Sequence, residues 1–139
     1  MNKKKERQEI FDKYDGRCSY CGDPLQKGWH ADHLLPVGRY KEHVLDEDGN
    51  KLYKNGKYGE YKYVMRMEYP ERDVLENKIP ACASCNINKH GMDIEGFREL
   101  IRDFIKSLNR YSVQYKIAKR YGLIQETNAK VVFYFETLS

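Results

Sequence analysis

Cys18-Ser19-Tyr20-Cys21 and Cys82-Ala83-Ser84-Cys85-Asn86-Ile87-Asn88-Lys89 are the stretches that decide how this chain is built. They hold all 4 cysteines of the sequence, arranged as two C-x-x-C pairs. Two such pairs set four thiolates at the corners of the tetrahedron that Zn²⁺ prefers. No apolar run follows the basic start Lys3-Lys4-Lys5, so a secretory signal is not expected and the protein is placed in the reducing cytoplasm. There, four cysteines read as metal ligands in preference to disulfides. Two redox pairs or two buried bridges are the alternative.

Sixty-one positions separate Cys21 from Cys82, far more than the roughly 15–20 of a simple zinc ribbon. A segment is therefore inserted between the pairs, and zinc binding across it would contribute directly to folding. Upstream, Lys4–Tyr14 carries Ile10, Phe11 and Tyr14 at helical spacing, and Asp15-Gly16 supplies a stop. Trp29–Val37 reads as a strand ended by Pro36. Asp48-Gly49 and Asn55-Gly56 are hairpin-turn dipeptides, so Glu42–Met67 reads as a small meander. Six of the 12 tyrosines lie between Tyr40 and Tyr69. Such a meander either packs on a C-terminal strand or lines a nucleic-acid groove with its tyrosines and lysines.

Beyond the second pair, Asn86–Gly91 predicts a short helix closed by glycine. Phe97, Leu100, Ile101, Phe104, Ile105 and Leu108 then form a helical stripe expected to face the core, with Asp93 as its cap. Tyr111–Tyr121 predicts a further helix, and the β-branched and aromatic run Lys130–Glu136 a buried strand.

At 139 residues the chain makes one domain, and 40% hydrophobic with 33% charged residues leaves no run that could span a membrane. The net charge of +4 decides little about partners. Its arrangement says more: Phe104–Gln125 holds Lys106, Arg110, Lys116, Lys119 and Arg120 with no acidic residue, which suits either phosphate contact or a solvated helix face.

Cys-x-x-Cys, then Asp32-His33-Leu34-Leu35-Pro36, then Asn77, then Cys-x-x-Cys-Asn86-x-x-Lys89 resembles, in its order, the HNH endonuclease family in its four-cysteine, zinc-bearing form. The resemblance covers about residues 15–91. It implies an α+β protein with a ββα-metal (His-Me finger) core and a structural zinc, residues 37–76 as an inserted β-meander, and 92–139 as an extension of helices plus a strand. The activity implied is hydrolysis of phosphodiesters in double-stranded DNA with a catalytic Mg²⁺ or Mn²⁺, leaving a 3′-hydroxyl and a 5′-phosphate.

Under that resemblance Asp32 is the metal-binding carboxylate and His33 the general base, a role suited to an imidazole near neutral pH. Asn77 would hold the His33 ring through its carbonyl oxygen, Asn86 would be the second metal ligand, and Lys89 would reach the phosphate. His90 is an alternative to Asn86 as ligand. Arg39 is a phosphate contact or a solvated loop charge. His30 is expected to be a satisfied polar residue, and Asp46-Glu47-Asp48 a solvated turn. The 44 positions from His33 to Asn77 exceed those of compact members, which places the meander inside the catalytic hairpin. The rival readings are a non-catalytic zinc-stapled nucleic-acid-binding module and a nuclease acting on RNA or structured DNA.

Overall fold

Asn2 accepts a hydrogen bond from the Lys5 amide through its side chain, and this cap opens α1 (Lys3–Asp12). The structure, a computed structural model, describes residues 2–56 and 58–138. After α1 come β1 (His30–His33), β2 (Arg39–His43), β3 (Tyr63–Met67), β4 (Lys78–Ala81), α2 (Ala83–Lys89), α3 (Ile94–Tyr111) and α4 (Val113–Arg120). The architecture is mixed α+β, with four α-helices and two antiparallel sheets of two strands each among the described residues. Among the described residues no helix is long and apolar enough to cross a membrane.

β1 pairs with β4, matching Asp32 with Ile79 and His33 with Lys78. The 44 positions between His33 and Asn77 are taken up mainly by the β2–β3 arm, which forms its own sheet. Both expected turns are present in the arm: Gly49 has φ +84°, and Asn55 takes φ +52° within a single 3₁₀ turn, Lys54–Gly56. Bridges Leu45–Lys51 and Tyr53–Tyr61 complete the meander beyond the β2–β3 pair.

The core is small. Cys18, Tyr20, Ile79, Ala81, Phe97 and Phe133 form one buried cluster, with Tyr20 stacked on Phe97 at 5.3 Å and edge-on to Phe133 at 5.5 Å. The metal-ligand candidate Cys18 is thus itself a core residue, so the cysteine cluster and the hydrophobic core are one structure. α1 braces the outside: Arg7 lies 3.7 Å over the Trp29 ring, and Lys13 Nζ donates to the carbonyls of Leu75 and Lys78.

Five expectations need correction. Lys130–Glu136 is not a strand: it runs extended and then turns into a 3₁₀ segment, Tyr134–Thr137. Its amides at Tyr134 and Phe135 donate to the carbonyls of Tyr20 and Ser19, so the tail pairs with the first C-x-x-C turn and not with a sheet. Gly22 makes that turn possible, because at φ +78° a Cβ would meet the Tyr134 ring at 3.0 Å. Second, the helical stripe is core only at its N-terminal end: Phe97 is buried, whereas Phe104, Ile105 and Leu108 are exposed where α3 runs past the core. The Asp93 cap is present, accepting from the Gly96 amide.

Third, α2 is closed by His90 at φ +52°, with its amide on the Asn86 carbonyl; Gly91 does not take the positive φ. Fourth, the Trp29–Val37 strand is only His30–His33, because beyond it the chain is held by Asn77 and not by a neighbouring strand. The arm also does not pack as a layer on the C-terminal run: β2 is exposed along its length, and Phe133 packs on Tyr20 and Phe97.

Because Phe133 closes so small a core, Phe133→Ala should destabilise the protein by about 3–5 kcal/mol. Val132→Ala, at an exposed neighbour, should stay within about 0.5 kcal/mol. Urea denaturation of both variants checks the contrast, and equal midpoints would refute this account of the tail.

Candidate functional site

One ligand atom from each of Cys18, Cys21, Cys82 and Cys85 lies within 4.8 Å of the others. Tetrahedral Zn–S bonds of about 2.3 Å separate sulfurs by about 3.8 Å. Cys21 and Cys82 Sγ stand 3.9 Å apart, so the set can hold a metal ion such as zinc with little adjustment. Protons are unevenly shared in the cluster. The Cys18 thiol is pulled down to about 4, chiefly by the hydrogen bond with Cys85 and against the effect of its burial. Burial above all pushes Cys21 up to about 11, and Cys85 is raised first by its hydrogen bond with Cys18. Four free thiols this close cannot all ionise; around a dication all four can be thiolates. Cys82 also caps α2, its sulfur accepting from the Cys85 amide.

Between the cluster and the β1–β4 hairpin sits a buried polar set. Tyr20, inside the first C-x-x-C, donates its hydroxyl to Asp32 Oδ2. Burial first, and Asp32 next, push that hydroxyl far up, so it stays a donor. Lys89 is 1% exposed; its Nζ lies 3.1 Å from Asp32 Oδ2 and donates to the His33 carbonyl at 3.2 Å. A charge this buried needs such a partner. The expectation that Lys89 reaches out to a phosphate is therefore corrected, since its ammonium is held inside by Asp32. Asp32 Oδ1 has no hydrogen bond among the described residues.

On the other face of β1, His33 Nε2 meets Asp73 Oδ1 at 2.9 Å, and Lys78 Nζ stands 3.3 Å from the same oxygen. The His33 hydrogen bond is the largest influence holding the Asp73 carboxyl below its usual range. An ionised carboxylate only accepts, so Nε2 is the ring nitrogen that donates here. This is the ring support expected from Asn77. Asn77 instead clamps the chain after β1: its Oδ1 accepts from the Leu35 amide, and its Nδ2 donates to the carbonyls of Leu35 and Arg72. An amide with donor and acceptor at one end suits that clamp, and a carboxylate suits the ring.

Asp32, His33, Arg39, Lys89 and His90 line one cleft of about 460 Å³, together with Pro36–Gly38 and Gly91. Asn86 is not among the lining residues. It is half-buried on α2, one turn before His90, with no side-chain hydrogen bond among the described residues. His30 is exposed. Of the basic stripe, Lys106, Arg110, Lys116, Lys119 and Arg120 all lie on α3 and α4 outside this cleft. Lys119 is paired with Glu126 at 2.6 Å and Lys106 with Asp103 at 3.4 Å, so flanking acids neutralise part of it. Asp46 is a turn residue, its Oδ1 accepting from the amides of Asp48 and Asn50.

Sequence reasoning missed Asp73 and Tyr20. Asp73 had one signal, a carboxylate four positions before Asn77. Tyr20 had only its place between two cysteines, where an aromatic reads as core. A scan against family models and searches of curated proteins and solved structures return no match.

Purified protein should carry one zinc per chain by elemental analysis, and Cys85→Ala should lose both the metal and cooperative unfolding. A metal-free wild type that melts cooperatively would refute the structural role of the cluster.

Proposed function

We propose that the chain is a metal-dependent HNH endonuclease that hydrolyses phosphodiester bonds of double-stranded DNA. The observation that carries this is the convergence of Asp32, His33, Arg39, Lys89 and His90 on one cleft, built on the β1–β4 hairpin and the helix that follows it. The order hairpin then helix, tied by the cysteine cluster, supports a ββα-metal core.

In this reading His33 is the general base. Its Nδ1 takes the proton of the attacking water while Asp73 holds Nε2–H and stabilises the imidazolium that forms. Arg39, exposed at the cleft, binds the scissile phosphate through its guanidinium. Asp32 offers Oδ1 to a Mg²⁺-type ion, with His90 at the cleft or Asn86 one turn back as the second protein ligand. When bound, that ion supplies Lewis-acid stabilisation of the phosphorane and of the leaving 3′ oxygen. Lys89 holds Asp32 in place and offsets part of its charge, a positioning role in place of phosphate contact.

The Tyr20–Asp32–Lys89 set also fits a second reading, in which Asp32 is a buried structural acid and the protein binds nucleic acid without cutting it. Supercoiled plasmid separates the two. The nuclease reading expects nicking or linearisation with Mg²⁺ or Mn²⁺, none without the divalent ion, and a loss of about 10²-fold or more in His33→Ala with zinc content unchanged. His33→Ala cutting at the wild-type rate would overturn the base, and plasmid binding without cleavage by wild type would favour the binder. Asp73→Ala should lower the cleavage rate without changing plasmid affinity, because it acts on the base and not on the DNA. Equal losses of rate and affinity would instead make Asp73 a structural residue.

A further inference from the structure

β2 is exposed along its whole length and β3 for all but Met67, so the arm is a two-stranded ribbon with both faces open. Residues directly opposite in an antiparallel pair share a face. The register places Arg39 against Met67, Lys41 against Met65 and His43 against Tyr63, all on one side. Tyr61 continues that side, edge-on to His43 at 5.7 Å and stacked on Tyr53 at 5.2 Å. Lys51 lies 5.1 Å over Tyr61, and Lys41 lies 4.4 Å over Tyr63.

No carboxylate of the paired strands lies on this face. Glu42 is on the opposite one, where it is paired with Arg66, and the acids Asp46–Asp48 sit in the turn beyond Leu45. The two faces of one ribbon are therefore chemically different. Within the paired strands one is cationic and aromatic, while the other joins its Glu42 and Arg66 charges in an internal pair. Arg39 begins the cationic face and also lines the cleft, so the face runs from the cleft outward along the ribbon.

We propose that this ribbon is a duplex-DNA-binding arm, its Arg39–Lys41–His43 face lying against the phosphate backbone of the groove next to the cleft. A two-stranded ribbon is of the width the major groove admits. The lysine ammoniums sit over tyrosine rings, which holds them on the face without neutralising them. The same lysines cover those rings, so the face meets phosphates in preference to stacking unpaired bases. The arm supplies affinity and register, while the chemistry stays in the cleft. The proposal deepens the endonuclease reading and rests on its assignment of DNA as partner.

The test is binding of a duplex oligonucleotide across a salt series, with every protein carrying His33→Ala so that the DNA stays intact. Lys41→Ala/Lys51→Ala should weaken binding and make the slope of log K against log salt shallower by about two, one per lost phosphate contact. Arg66→Ala, on the opposite face, should leave the slope unchanged. Zinc content and circular dichroism establish that each variant is folded. An unchanged slope in the double variant overturns the arm, as does equal loss in Arg66→Ala. A protein that prefers single-stranded DNA or RNA, or binds no nucleic acid, also overturns it. Cleavage of plasmid by wild type judges the nuclease reading separately. A protein that cuts with an unchanged slope in the double variant loses only the arm. One that binds through the arm and never cuts loses only the nuclease.

Discussion

Everything in this molecule depends on closing a gap of 61 positions with four sulfur atoms. Cys18 and Cys21 precede the hairpin and Cys82 and Cys85 follow it, so the cluster fastens the two ends of the inserted segment side by side. The hydrophobic contribution alone is small, because the core is one cluster of six buried residues and Cys18 is among them. A domain with so little buried apolar surface depends on a further constraint. The sulfur cluster, able to hold a metal ion such as zinc, meets that need at the point where the chain is most weakly tied.

The same cluster positions the cleft. Tyr20 belongs to the first C-x-x-C turn and Lys89 to the helix that starts at the second, and both reach Asp32. α1 acts on the other side, its Glu6 paired with Lys78, and Lys13 at its C-cap bound to the Leu75 and Lys78 carbonyls beside Asp73. Asp32 is thus held from the cysteine side and His33 from the α1 side. The arm stands apart from both, with its own sheet and turns, which is how one ribbon can serve as a contact surface without disturbing the hairpin it interrupts.

Several local features are legible in the sequence. The α1 stop, the Asp93 cap and the turns at Asp48-Gly49 and Asn55-Gly56 all follow from backbone preferences acting over a few residues, whereas the helix expected over Asn86–Gly91 starts earlier, at Ala83, because Cys82 caps it. Lys130–Glu136 misled for the converse reason. Valine and phenylalanine suit a strand and a buried extended tail equally, and the partner that decided between them, the Ser19–Tyr20 backbone, lies more than a hundred positions away. The α3 stripe misled because periodicity reports a face and cannot report how far along the helix the core extends.

By itself the sequence determined the two C-x-x-C pairs and the insertion between them, because ligand spacing and turn chemistry are properties of short segments. Tertiary structure alone decided that Asp73 and not Asn77 holds the His33 ring, that Lys89 is buried against Asp32, and that His90 lines the cleft while Asn86 does not. Those outcomes depend on which atoms are brought within about 3 Å across forty or more positions of chain. No pattern of neighbours in sequence encodes that distance; strand register, a buried charge and one left-handed residue at His90 do.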